Sequence, residues 1–263
     1  NRKSTLENEF FDFLVSILGT STIIKRRDRT ILNGKELDFY IPSKNIAIEF
    51  DGLYWHSEAN KSKNYHCDLR KKFEEHNLKL IQFHEDEIKT KPEIVKSIIA
   101  SKSGQIQEKI YARKTTVQFV SQSQANDFLK ANHLMGAIAA KHIGLFDNNK
   151  LVCLLSYKMF ATNNSCHIER FCSLCNVVVV GGFTKLLTAL EKLLNAKEYM
   201  YWVDLRYGTG EHLLSHGFAW KKDTLGWKWT DGTNTFNADE KILIDDNDNN
   251  DDDDNYVNDF III

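Results

Sequence analysis

Apolar residues at Leu6, Phe10, Phe13, Leu14, Ile17 and Leu18 recur every three or four positions, and Gly19 closes the run. That spacing predicts an amphipathic helix, with Ser4-Thr5-Leu6-Glu7 as a capping box in which Glu7 reaches back to the first turn. The period then drops to two. In Glu36-Leu37-Asp38-Phe39-Tyr40-Ile41 the apolar Leu37, Phe39 and Ile41 share one face and Asp38 lies on the other. In Ile46-Ala47-Ile48-Glu49-Phe50-Asp51 the set Ile46, Ile48 and Phe50 faces one way, and Ala47, Glu49 and Asp51 the opposite way. The connection through Pro42-Ser43-Lys44-Asn45 is short enough for a hairpin. A charged helix over about 62–77, a buried-type strand at Leu78–His84 and a helix near Pro92–Ser101 complete an α-β-β-α-β-α order, a small mixed sheet with helical cover.

Ser101-Lys102-Ser103-Gly104-Gln105 reads as a linker, and the order changes after it. A strand at 113–120, a helix at 122–132, a hairpin turning at Asp147-Asn148-Asn149 and a strand at 166–172 come first. A helix opening after Gly181-Gly182, a strand at 199–204, a short helix at 210–215 and a Trp-rich strand at 218–229 follow. The expected organisation is therefore two α/β domains, 1–105 and 110–236. The Asp/Asn-rich tail, 237–263, is low in complexity and self-repelling, and it is expected to be disordered.

With 263 residues the chain can bury two ordinary cores, and no apolar run approaches the ~20 residues a bilayer crossing needs. The beginning, Asn1-Arg2-Lys3, carries no hydrophobic targeting segment and no Met, which suggests a processed or excised piece. Five cysteines, an odd number, do not make a disulfide framework and point to a reducing, cytoplasmic compartment. The net charge of -2 hides an asymmetry. From Asp239 to Asp259 there are ten acids against one Lys, so residues 1–238 carry +7 and suit a phosphate-bearing partner.

Candidate chemistry concentrates in Glu36–His56. Two neighbouring strands present Asp38, Glu49 and Asp51 away from the core face, and a hard cation that prefers oxygen ligands relieves the repulsion among such carboxylates. Mg²⁺ is the usual occupant. His56, beyond a Gly turn, is placed to act as a general base or acid, and a metal plus a base beside a phosphodiester are the parts needed for hydrolysis. Glu7 and Asp68 extend the set. Singly, each carboxylate is more simply a solvated edge residue, and His56 a ring stacked on Trp55 or Tyr54. Arg26, Arg27 and Arg29 precede the first of these strands, and Arg70, Lys71 and Lys72 follow Asp68. Clusters of this kind neutralise phosphates of double-stranded DNA without reading sequence, or form a solvated charged face.

Several strings carry a family resemblance: Ser4-x-x-Glu7, Glu36-Leu37-Asp38-Phe39, and Ala47-Ile48-Glu49-Phe50-Asp51-Gly52-Leu53-Tyr54-Trp55-His56. Tyr65-His66-x-Asp68-x-Arg70 and Leu80-Ile81-Gln82-Phe83-His84-Glu85-Asp86-Glu87 continue it. Together they resemble the PD-(D/E)XK nuclease fold, in the branch of very-short-patch repair endonucleases and the related phage and intein-associated homing endonucleases. The resemblance covers about residues 4–100 and continues more weakly beyond. It implies a restriction-endonuclease-like domain hydrolysing DNA with Mg²⁺. Asp38 is then the central metal ligand, Glu7 and Asp68 support the site, His56 is the catalytic histidine and Trp55 is an aromatic near the DNA. The E-x-K lysine of the broad family is absent, because Asp51 stands there, and in this branch histidines take over its role. Which of Glu49 and Asp51 touches the metal stays open.

Cys166-His167 with Cys172-x-x-Cys175 falls short of a zinc site, since adjacent strand residues point to opposite faces; buried thiols are expected instead. Val177–Val180 followed by Gly181-Gly182 and a helix is a strand–loop–helix that can hold a phosphate at the helix N-terminus. The element order around it resembles the GNAT acyltransferase fold, without the full signature of that family. Tyr201, Trp202, Arg206, Tyr207, Trp220, Trp227 and Trp229 form either an aromatic-plus-cation surface for stacking on DNA or part of a core. The expected function is a metal-dependent DNA endonuclease of homing or very-short-patch type; the alternative is an acyl-CoA-dependent N-acyltransferase carrying a nuclease-like DNA-binding domain.

Overall fold

The computed structural model describes residues 2–32, 34–51, 70, 72–224, 228–230, 235–237, 255–257 and 260–262. The chain is mixed α/β and divides into two compact units, neither continuous in sequence. One contains Asn1–Pro92, Val203–Thr209 and Lys222–Ile261, the other Glu93–Trp202, Gly210–Lys221 and Ile262–Ile263.

The first unit opens with α1 (Arg2–Leu18) and then β1 (Lys25–Leu32), β2 (Lys35–Ile41), β3 (Ile46–Asp51) and β4 (Lys79–His84). These strands form one sheet in the order β1-β2-β3-β4, with β1/β2 and β2/β3 antiparallel and β3/β4 parallel. The hairpin expected between β2 and β3 is present. It closes through a short 3-10 turn, Pro42–Lys44, that ends at Asn45 with φ of 51°. Proline presets the first turn residue, and Asn is among the few residues that tolerate the left-handed region.

Strand β1 departs from expectation. Its sequence, KRRDRTIL, lacks apolar alternation, and all but its last residue are at least partly exposed. It forms because it is an edge strand, where charged side chains can stay in water while the backbone completes the ladder. Helix α1 also begins earlier than the capping box predicts, at Arg2, so Glu7 lies in the second turn. Phe10 on this helix packs edge-on against Phe50 at 4.3 Å and lies 5.8 Å from Phe39, while Phe39 and Phe50 are 5.4 Å apart. This aromatic group seals one face of the sheet and leaves Asp38 and Glu49 to the other.

After β4 the chain runs into α2 (Glu85–Thr90) and α3 (Pro92–Lys102). The division between units falls at 92/93, not in the expected linker. Residues 101–105 instead terminate α3. The Gln105 amide donates to the Ala100 carbonyl, and the Ser103 hydroxyl to that of Ile99, with Gly104 at φ of 72°. Ile94, Val95, Ile99 and Ala100 are buried, so the helix belongs to a core.

In the second unit β6 (Thr116–Phe119), β7 (Lys141–Asp147), β8 (Lys150–Phe160), β9 (Ser165–Ser173) and β11 (Glu198–Val203) make a sheet in that order. It is antiparallel except where β9 meets β11 in parallel, a crossover made through α5 (Gly182–Leu193). Between β6 and β7 lies α4 (Gln122–Asn132), capped by the Ser121 hydroxyl, which accepts the Gln124 amide. A small parallel pair joins β5 (Lys109–Tyr111) to β10 (Val178–Val180), and α6 (Glu211–Leu214) follows β11. The expected turn at Asn148-Asn149 has φ of 46° and 66°, the double left-handed step that matches strand twist in a tight hairpin. Burial pushes the Cys153 and Cys166 thiols up to about 12. They stay protonated and act as small apolar fillers.

The Trp-rich segment is irregular over 218–221, and residues 225–227 lie outside the described residues. It contributes β12 (Lys222–Thr224) and β13 (Lys228–Thr230), and β13 pairs with β14 (Thr235–Asn237). The tail is not uniformly irregular either. Residues 238–254, which hold most of its acids, lie outside the described residues, but β15 (Asn255–Val257) pairs antiparallel with β13, and β16 (Phe260–Ile262) is also extended. Where the acids give way to Tyr256-Val257 and Phe260-Ile261-Ile262, strand-forming side chains return.

His142 on β7 is 3% exposed, and its Nδ1 lies 2.8 Å from the Ser156 hydroxyl. Burial lowers its pKa from the ordinary 6.5, so the unfolded chain takes up a proton at higher pH than the folded one. Its contribution to stability is therefore complete above about pH 6.5 and is lost as pH falls through the lowered folded value. His212, lowered by burial and by Lys102, acts in the same direction. The urea midpoint should fall between pH 7 and pH 5, less steeply in His142→Asn; an unchanged slope in that variant would assign the pH dependence elsewhere.

Candidate active site

The strand registers align one row of polar residues. Arg26 pairs with Phe39 and Asp28 with Leu37, which sets Arg27 opposite Asp38. Phe39 pairs with Ile48, which sets Asp38 opposite Glu49, and Glu49 pairs with Gln82. Arg27, Asp38, Glu49 and Gln82 thus occupy successive positions across four strands. Asp38 is half-buried and Glu49 is 8% exposed. The Phe50 amide donates to Asp38 Oδ2 at 2.8 Å, and the Asp38 amide to Glu49 Oε1 at 3.3 Å. Two carboxylates directly across a strand pair repel unless positive charge lies near. Among the described residues no three His, Cys, Asp or Glu side chains gather as a full ligand sphere.

Glu7 does not join this pair. It is 5% exposed and is held by β1: Arg27 grips it with two bonds, Nη2 to Oε2 at 2.7 Å and Nε to Oε1 at 3.2 Å, and Arg26 adds one at 3.1 Å. The Arg27 guanidinium lowers the Glu7 pKa, with Arg26 assisting, and together they outweigh burial, which acts in the opposite direction. The expected capping role of Glu7 is therefore replaced by arginine positioning.

The other basic candidates differ from one another. Arg26 also donates to Asn8 at 2.7 Å and lies over the Phe11 ring at 5.0 Å. Arg29 forks onto Glu36 Oε2 and is largely exposed. Arg70 lies 3.8 Å from Glu74 one helical turn on, and Lys72 is exposed. The side chain of Asp51 and all of Trp55, His56, Asp68 and Lys71 lie outside the described residues. The backbone of Asp51 pairs with His84 on β4.

Gln82 and His84 are additions to the candidate set. Both are buried polar residues of β4, brought beside Glu49 and Asp51 by a parallel pairing whose register no local pattern encodes. Behind them, the Gln82 amide donates to the Arg206 carbonyl at 2.8 Å, and Tyr207 stacks on Phe83 at 6.2 Å. Arg206 is therefore core, not a DNA-facing cation: it is 2% exposed, bonded to Glu87 Oε2 at 2.8 Å and to Asp204 Oδ2 at 2.7 Å. Burial opposes its charge, but the Asp204 and Glu87 carboxylates prevail and hold its pKa well above the ordinary value. Glu87 Oε2 also accepts the His84 amide at 3.1 Å, tying the end of β4 to this trio.

In the second unit Gly181 takes φ of 75° as the cap of α5. Lys185, the cation nearest that turn in sequence, is tied to the carbonyls of Ala112 and Thr115. Trp202 and Trp220 are exposed. No protein-family model matches the chain, and no curated protein does.

Proposed function

We propose that the protein is a divalent-metal-dependent DNA endonuclease whose active site lies in the first unit, of PD-(D/E)XK and very-short-patch or homing type. The observation that carries this reading is the cross-strand pair Asp38–Glu49, flanked in its row by Arg27. The donor set suits Mg²⁺, which takes one or two protein carboxylates and completes its sphere with water and phosphate oxygens. Asp38 and Glu49 would hold the ion, with Asp51 as a further candidate. Bound there, it supplies Lewis-acid stabilisation of the phosphodiester.

The chain's own groups complete the reading. His56 is the candidate for moving the proton of the attacking water, and Asp68 supports the site. Arg26, Arg29, Trp55, Arg70, Lys71 and Lys72 are candidate contacts to duplex DNA. The second unit, GNAT-like in this reading, carries DNA contacts of its own at Trp202 and Trp220. The N-acyltransferase reading rests on Gly181 at the head of α5, and acetyl-CoA binding by calorimetry tests it. For the nuclease reading, supercoiled plasmid incubated with the full chain should be nicked or linearised with Mg²⁺ and left intact with EDTA. A plasmid untouched under both conditions contradicts it.

A further inference from the structure

We propose that Arg27 is a catalytic residue of this site: its guanidinium, fixed by Glu7 and carried from the β1 position opposite Asp38, stabilises the charge that builds on the scissile phosphate. The inference rests on the nuclease reading above and adds a named group to it.

Three features of Arg27 separate it from an ordinary phosphate contact. Its backbone is at φ of 51°, inside an edge strand, where an L residue with a side chain is sterically disfavoured. Such a conformation persists only where the surroundings enforce it, and it recurs at functional positions. The buried Glu7 carboxylate holds the side chain, and its two bonds fix the plane of the guanidinium. Yet the Arg27 side chain remains 59% exposed. Here the fork is oriented from behind and open in front.

The neighbours sharpen the assignment. Arg26 lies over the Phe11 ring and Arg29 is taken up by Glu36 at the surface. Of the three arginines on β1, only Arg27 falls at the row position opposite Asp38. The Glu7, Glu36 and Asp38 carboxylates all act to raise its pKa, so it stays charged throughout the working range. The chain has no lysine two residues after Glu49, and in this reading Arg27 of β1 supplies the cation. A planar guanidinium matches two non-bridging phosphate oxygens. In hydrolysis one P–O bond forms from water and one P–O bond breaks. The proton leaves the water and one reaches the departing oxygen. Arg27 gives and takes none, so its effect is electrostatic and orientational.

The test uses the full chain, single-turnover plasmid cleavage, DNA binding by anisotropy and thermal melting. Arg27→Gly removes the guanidinium while accepting the positive φ freely. The expected result is a cleavage rate down by about 10²-fold or more, with Kd for DNA within about threefold. Free guanidinium should restore part of that rate, and Glu7→Gln should show a smaller loss in the same direction. A weaker Kd with an unchanged saturated rate would make Arg27 a phosphate anchor and overturn the proposal. A lowered melting temperature without guanidinium rescue would also overturn it, by making the residue structural. A wild-type chain that cleaves nothing with any divalent cation removes the nuclease reading itself, which is a separate outcome.

Discussion

Asp38→Asn is expected to abolish DNA cleavage while leaving DNA binding within about threefold of wild type. The substitution keeps an oxygen acceptor for the Phe50 amide, now 2.8 Å from Asp38 Oδ2, so the β2/β3 pairing should survive. What disappears is the negative charge of one member of the Asp38–Glu49 pair. If that pair holds the metal, several kcal/mol of transition-state stabilisation go with it, about 10³-fold or more in rate. Binding persists because phosphate contacts from basic side chains are separate from the carboxylates. Asp38→Ala is a poorer probe, since it leaves the Phe50 amide without this acceptor, at about 1–3 kcal/mol if that amide stays dry. Wild-type cleavage by Asp38→Asn would remove Asp38 from the metal site.

Arg206→Met should destabilise the first unit by about 3–5 kcal/mol. Arg206, Asp204 and Glu87 are all nearly excluded from solvent. Removing the cation strands two buried carboxylates and loosens the contact of segment 203–209 with β4, although methionine fills much of the volume. Because the Arg206 carbonyl accepts the Gln82 amide, the damage should spread to the strand that carries Gln82 and His84. Urea denaturation measures the loss. A change below about 1 kcal/mol, the range of solvated surface pairs, would mean that the trio is solvated in solution.

The two strands that carry the carboxylates were legible because each has a clean period-two alternation, with Leu37, Phe39, Ile48 and Phe50 on the apolar side. Their pairing followed from the short Pro42–Asn45 connection. Strand β1 was hidden because an edge strand does not need to bury a face, so Lys25–Arg29 reads as a solvated charge run. Glu7 reads locally as a cap, and only tertiary packing reveals its arginine partners. The linker reading failed at Ser103-Gly104 because a small polar residue followed by Gly is also how a helix ends. Arg206 was harder still. Its partners include Glu87, far away in sequence, and an arginine beside tyrosines has the composition of a DNA surface as readily as of a buried ion trio. Long-range pairing and discontinuous units leave no local signature, which is why the return of Val203–Thr209 to the first unit emerges only from the fold.

The central claim is that the Asp38–Glu49 pair forms a metal-dependent phosphodiesterase site. The most direct measurement is the rate of supercoiled-plasmid cleavage against Mg²⁺ concentration, run in parallel for wild type and Glu49→Gln. A rate that is zero in EDTA, saturates with Mg²⁺ in the wild type and needs far more Mg²⁺ or never saturates in Glu49→Gln is the predicted result. Cleavage that persists in EDTA, or identical Mg²⁺ curves for the two proteins, would contradict it.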